Sequence, residues 1–155
     1  MKSLTIIFAL LFCVQITAQV TAQEKEMATK NVTEAAYNYI DTFYKADTTL
    51  AYKSVHKDLR KVGWWYDEKK QAYSNNSEMS FDKLISLAKR WNAKGDRTNA
   101  DSPRDVRVLE VSDKIAVVKV AAVWGIDYLN MVNTDEGWKS INIVWQSKPK
   151  FSLKE

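Results

Sequence analysis

Asp127 is the carboxylate of this sequence best placed to do proton chemistry. It stands between Ile126 and Tyr128, two residues after Gly125, in a run that is otherwise largely apolar. On a strand, alternation sets it on one face with Leu129 and Met131, opposite Ile126 and Tyr128. If that face lines an apolar interior, a desolvated carboxylate there could shuttle a proton on a bound substrate. The plainer alternative, and the expected one, has Asp127 facing water or accepting backbone N–H bonds at a bend near Gly125. His56 is the single histidine, which excludes zinc sites built on two or three imidazoles. As a general base it would need an orienting carboxylate in reach, and on a helix Asp58 would point elsewhere. His56 is expected instead to close a helix, where a donor or cation suits the free carbonyls. The four glycines stand singly, so no phosphate-binding loop is present, and no Gly-x-Ser-x-Gly accompanies the histidine. This reading calls for no metal and no cofactor.

Six tryptophans and seven tyrosines form the largest compositional signal, all downstream of the apolar first segment. Each can bury roughly 150–250 Å², so filling a core accounts for most of them. Trp64 and Trp65 are adjacent, and strand alternation must put one of them off the buried side. The residues expected to line a ligand pocket are Tyr44, Trp65, Tyr66, Trp91 and Trp124, together with Asp127.

The elements that must position these residues follow from periodicity. Asn31, with Glu34 three residues on, fits a capping box; beyond it Ala36, Ile40, Phe43 and Tyr44 recur at helical spacing, widened by Tyr37 and Tyr39. Asp47 reads as the N-cap of a second helix carrying Leu50, Val55 and Leu59 to about Arg60. Val62–Tyr66 is short, aromatic and β-prone, with Ala72–Ser74 as its returning partner. Ser80 is expected to cap a third helix with Phe81, Leu84, Ile85, Ala88 and Trp91 on one face, closing at Gly95. Strands are expected over 105–111, 114–124, 126–132 and 138–146, with a bulge or sharp bend at Gly125. Helices early and strands late imply an α+β domain with helices on one face of a sheet.

The first segment bears on location. Lys2 is followed by an apolar stretch, Leu4 to Ile16, too short to span a bilayer. Small-residue sites follow at Ala18 and Ala22, as in a cleaved secretory signal peptide. Residues 1–22 are therefore expected to be a signal peptide, 23–30 a polar leader, 31–147 one domain and 148–155 a loose tail. The protein is expected to be periplasmic or secreted, with no membrane association after cleavage. Its one cysteine, Cys13, lies in the expected signal peptide, so the mature chain would carry no thiol or disulfide. The net charge is +4, but the basic residues are scattered and form no stripe, so nucleic acid is not an expected partner.

The order of these segments resembles the nuclear transport factor 2-like superfamily, and within it the bacterial group called "putative lumazine-binding" proteins. The first helix, Ala36-Tyr37-Asn38-Tyr39-Ile40-Asp41-Thr42-Phe43-Tyr44-Lys45-Ala46-Asp47, looks like that group's opening segment. Val55-His56-Lys57-Asp58-Leu59 is similar to its His-Pro-Asp-Leu turn, with Lys57 where proline is usual. Asp127-Tyr128-Leu129 and Gly137-Trp138-Lys139 through Trp145 look like its terminal hairpin. The resemblance implies a cystatin-like cone: a strongly bent antiparallel sheet wrapped around three helices, with a cavity at the open end. Fold alone does not select a function. The leading expectation is a small-ligand-binding domain with an apolar or aromatic pocket and no established catalysis. One alternative is a cofactor-free isomerase or dehydratase using Asp127 with a tyrosine hydroxyl; another is a structural dimer whose pocket is filled by its own side chains. Both faces of residues 114–124 are apolar, where a half-buried strand should alternate with polar residues, so a homodimer through the sheet face is expected.

Overall fold

The computed structural model describes residues 2–74 and 77–147, with side chains from residue 21 onward. The chain runs α1 (Lys2–Tyr44), α2 (Thr48–Ser54), β1 (Val55–Trp64), β2 (Tyr66–Asp67), β3 (Ala72–Tyr73), β4 (Ser77–Met79), α3 (Phe81–Trp91), β5 (Arg104–Val111), β6 (Ile115–Ala122), β7 (Gly125–Thr134) and β8 (Gly137–Gln146). Six strands form one bent sheet in the order β4-β1-β8-β7-β6-β5, while β2 and β3 make a separate small hairpin. The three helices pack on the sheet's inner side. The domain is α+β, as expected.

The inner face of α1 carries Val32, Ala35, Ala36, Tyr39, Ile40 and Phe43, all buried at helical spacing. Against it the sheet presents Val118, Val120, Leu129, Met131 and Ile143. Leu84, Ile85 and Ala88 of α3 close the same core. Asp41 of α1 is clamped by Arg104 at the start of β5, through Nε and Nη2 at 2.9 and 2.8 Å. Burial alone would raise the Asp41 carboxyl, yet the Arg104 and Lys45 hydrogen bonds hold it below the usual carboxylate value. Asp47 caps α2 as expected, accepting from Thr49 N at 2.9 Å.

Several expectations are corrected. Asn31 does not begin a helix: α1 runs through it, and Thr29 and Thr33 hydroxyls donate to the carbonyls four residues back. The second helix stops at Ser54 rather than near Arg60. Val55 instead enters β1, which pairs in parallel with β8 from Val55↔Ser140 to Trp64↔Gln146. The sheet is therefore mixed rather than antiparallel, since β8 lies between β7 and β1 and runs parallel to β1. The local hairpin forms between Tyr66–Asp67 and Ala72–Tyr73, while residues 62–64 belong to the main sheet. Ser80 holds the N-cap position of α3 without a side-chain cap bond. Gly125 marks a full reversal: Ala122 pairs with Gly125 across the turn Val123–Trp124. Its φ is +138°, and a Cβ there would lie 2.1 Å from the Gln146 carbonyl oxygen, so only glycine fits. The expected tail, 148–155, lies outside the described residues.

Candidate functional site

Strand alternation puts Leu59, Lys61 and Gly63 of β1 on the inner face, and Asp127, Leu129 and Met131 of β7 on the same face. Trp145 of β8 is the register partner of both Gly63 and Asp127, so its indole lies between the two strands. Gly63 makes room for it, since a Cβ there would sit 2.1 Å from Trp145 Cδ1. From above, α1 lowers Tyr39 and Phe43 onto this spot, and the β6–β7 turn folds Trp124 over it.

Asp127 is 0% exposed and Lys61 5%. Tyr39 Oη donates to Asp127 Oδ2 at 2.7 Å, and Trp124 Nε1 donates to the same oxygen at 3.0 Å. Lys61 Nζ donates to Tyr39 Oη at 2.6 Å and stands 3.4 and 3.5 Å from the two carboxylate oxygens. Rings enclose the ammonium: Nζ lies 5.0 Å from the centroid of Trp145, 5.4 Å from Tyr39, and 6.0 Å from both Phe43 and Trp124. Desolvation pushes the Lys61 amine below its ordinary value, opposed by the charge of Asp127 and its hydrogen bond. Burial, then the Asp127 charge, pushes the Tyr39 phenol well above its own. Tyr39 is thus a held neutral hydroxyl between a cation and an anion.

A further set of rings backs this cluster. Tyr44 and Trp91 stack with centroids 6.1 Å apart and planes 4° from parallel. Trp124 meets Tyr39, Phe43, Tyr44 and Trp91 edge-on, at centroid distances of 5.2 to 6.3 Å. Trp65 is 52% exposed and lies 6.4 Å from Trp145, so the two indoles run from the ammonium to solvent.

Of the residues expected to line a pocket, the structure brings Asp127, Trp124, Trp91 and Tyr44 together and sets Trp65 at the outer end of the same ring series. Tyr66 does not join them: it is buried in the β2–β3 hairpin against Tyr73, with its hydroxyl 3.1 Å from Gln71 Oε1. His56 does not close α2. It lies in β1, accepts from Asp58 N at 3.1 Å, and lines a separate groove with Tyr52, Phe81, Glu136 and Lys139. Asp127 neither faces water nor ties down the Gly125 bend; side chains from α1, β1 and the β6–β7 turn are its partners. Lys61, Tyr39 and Trp145 were not singled out as site residues by the sequence. Reading Val55–Trp64 as a strand would have put Lys61 inward beside Leu59. Among the described residues, no group of three or more His, Cys, Asp or Glu is placed to hold a metal.

The same architecture recurs in known proteins. Among solved structures, a nuclear transport factor 2-like protein of unknown function from Silicibacter pomeroyi is similar over 82% of this chain and 98% of its own, at 17% identity and a TM-score of 0.56. A nuclear transport factor 2-like protein with a cystatin-like fold from Novosphingobium aromaticivorans matches 88% of this chain and 92% of its own, at 11% identity and a TM-score of 0.57. These likenesses establish the fold. No curated protein matches the sequence. The family model described as "Putative lumazine-binding" matches residues 27–146, from mid-α1 to the last residue of β8, and the chain belongs to that family.

Proposed function

We propose that this is an exported small-ligand-binding domain whose cone interior takes a small, largely aromatic molecule. The observation that carries the reading is the buried Lys61–Asp127 pair inside a cage of rings. Two charges taken out of water are seldom a net gain in stability over hydrophobic residues of the same volume. A fold that needed only a core would be served as well by leucines there. A planar heterocycle bearing both a carbonyl and an N–H could use Lys61 as donor, Asp127 as acceptor and the indoles as walls, and the family's description names such a molecule.

Titration with lumazine, followed by tryptophan fluorescence, tests this. Saturable quenching is expected, weakened at least about tenfold in Asp127→Asn, the loss of one charge-assisted hydrogen bond. Absence of quenching up to millimolar lumazine, with no thermal shift, would sink the heterocycle reading. The Tyr39–Asp127 contact of 2.7 Å favours one second reading, a cofactor-free isomerase in which Asp127 moves the proton and Tyr39 polarises a carbonyl. Export is supported by Lys2, the apolar stretch after it and the small residues Ala18 and Ala22. A mature N-terminus at Gln19 or Gln23, read by intact mass, is the expected result; an exported chain retaining Met1 would contradict it. Among the described residues, no helix is long and apolar enough to cross a membrane.

A further inference from the structure

We propose that the groove beside His56 is a ligand site of its own, built for an aromatic α-amino acid in its zwitterionic form. It does not depend on the reading of the cone. Lys61, Tyr39 and Asp127 do not line it, and neither does any of the six tryptophans.

The groove has room and is open to solvent. It holds about 670 Å³ between the end of α2, the start of β1, the first residue of α3 and the β7–β8 turn. That falls within the range of about 300–1,000 Å³ usual for small-molecule sites. Val55, 1% exposed, gives it a buried apolar contact. Tyr52 meets Phe81 edge-on, with centroids 5.2 Å apart and planes at 74°, yet stays 57% exposed. A ring that is held by one aromatic neighbour and open on the groove side offers a packing surface to a third ring.

The charges select the rest of the ligand. Lys57, Lys139, Asp135 and Glu136 line the groove, two of each sign, so its match carries both charges rather than one. Lys139 is bound to Glu136 Oε2, and that bond, followed by the charge of His56, holds the Glu136 carboxyl below its ordinary value. This pair is closed. What stays open is one donor pole and one acceptor. Asp58 N donates to His56 Nδ1 at 3.1 Å, so the proton of the neutral ring sits on Nε2. Among the described residues nothing accepts from Nε2, and neither Lys57 nor Asp135 has a side-chain partner. A carboxylate can take the His56 and Lys57 donors, an ammonium the Asp135 carboxylate, and a ring the Tyr52–Phe81 wall. The poles are neighbours, since His56 is near enough to act on Glu136 in the same turn as Asp135. The ammonium and carboxylate of one α-amino acid are neighbours too.

His56 is the only histidine, so its ring protons report the groove alone in an NMR titration. Adding phenylalanine to the full chain at fixed pH should shift them saturably at about millimolar concentration. Phenylpropionate lacks the ammonium and phenethylamine lacks the carboxylate. Each should bind at least about tenfold more weakly, the loss of one charge-assisted hydrogen bond. Asp135→Asn, in an exposed turn, should weaken phenylalanine by a similar factor and leave phenylpropionate unchanged. Absence of any shift up to tens of millimolar phenylalanine overturns the site, and that is read on the wild-type protein. Phenylpropionate or phenethylamine binding as tightly as phenylalanine overturns it as well, because one pole would then be idle. Tryptophan fluorescence, followed in the same titration, keeps the two sites apart. Shifts at His56 with unchanged fluorescence are the expected result. Changed fluorescence with unmoved His56 protons would put phenylalanine in the cone, removing this proposal and leaving the reading of the cone standing.

Discussion

Replacing Asp127 by Asn would keep the shape of the side chain but leave the Lys61 ammonium buried beside a neutral amide. Removing one partner of a buried ion pair costs about 3–5 kcal/mol, so Asp127→Asn should lower stability by that order in urea unfolding. Asp127→Asn with Lys61→Met should recover most of it, because Asn can still accept from Tyr39 and Trp124. A double variant no more stable than the single one would show that the pair is not the seat of the cost. Proton linkage gives a second measurement on the same residue. The folded state depresses the Lys61 amine, so between its folded value and the unfolded value near 10.4 the unfolded chain binds more protons, and stability rises with pH there. Tyr39 works oppositely: its raised phenol makes stability fall once unfolded tyrosine ionises near 10. Wild-type stability relative to Lys61→Met should therefore increase as pH approaches 10; a flat difference would contradict the depressed amine. That Asp127 shares a face with Leu129 and Met131 was legible from strand alternation, whereas its expected place in water or on the Gly125 bend was not met. Its partners were not legible, because Tyr39 and Lys61 lie 88 and 66 residues away along the chain. Periodicity reports which way a side chain points, not what meets it there.

At the scale of elements, α1, α3 and the four late strands could be read from spacing, since their apolar residues recur at helical or strand period. The boundary at Ser54–Val55 could not. Leu50, Val55 and Leu59 suit a helix face nearly as well as a strand, and a parallel pairing with β8, more than eighty residues downstream, decides between them. That one misread boundary hid Lys61, because a helical reading assigns it to no buried face. The Gly125 turn is the element-level device that delivers both Trp124 and Asp127 to the cluster. Gly125→Ala would force a side chain into a φ of +138° and against the Gln146 backbone. The expected loss is about 2–4 kcal/mol, left-handed strain plus a backbone clash, with a change in near-ultraviolet circular dichroism as Trp124 moves. An unperturbed aromatic spectrum would mean that the turn does not set the position of Trp124.

At the scale of the molecule, the unusual feature is a sheet with apolar residues on both faces. The inner residues of β6, Ala116, Val118, Val120 and Ala122, are buried under α1. The outer ones meet solvent. Tyr128 is 45% exposed, and the register sets it in a row between Lys119 and Val144, with Ala121 and Ile126 paired beside it. Ile115 is more exposed still, at 64%. We propose that this outer face pairs with a second copy of the chain, since exposed apolar side chains gathered on one sheet face mark interfaces. A two-fold contact presents the same patch from both sides, so a residue near its centre meets its own copy. Tyr128→Glu would bring two carboxylates close together where the interface excludes water, and it leaves the inner face untouched. The wild-type protein should show a dimer mass by light scattering at micromolar concentration. The variant should run as a folded monomer, with its melting temperature no longer dependent on protein concentration. A wild-type monomer at that concentration would overturn the interface, and a dimer that survives Tyr128→Glu would place it elsewhere on the surface. The cluster around Lys61 draws on α1, β1, β7 and β8 of one chain, so lumazine quenching should persist in the Tyr128→Glu monomer. Loss of quenching there would show instead that the second copy completes the site.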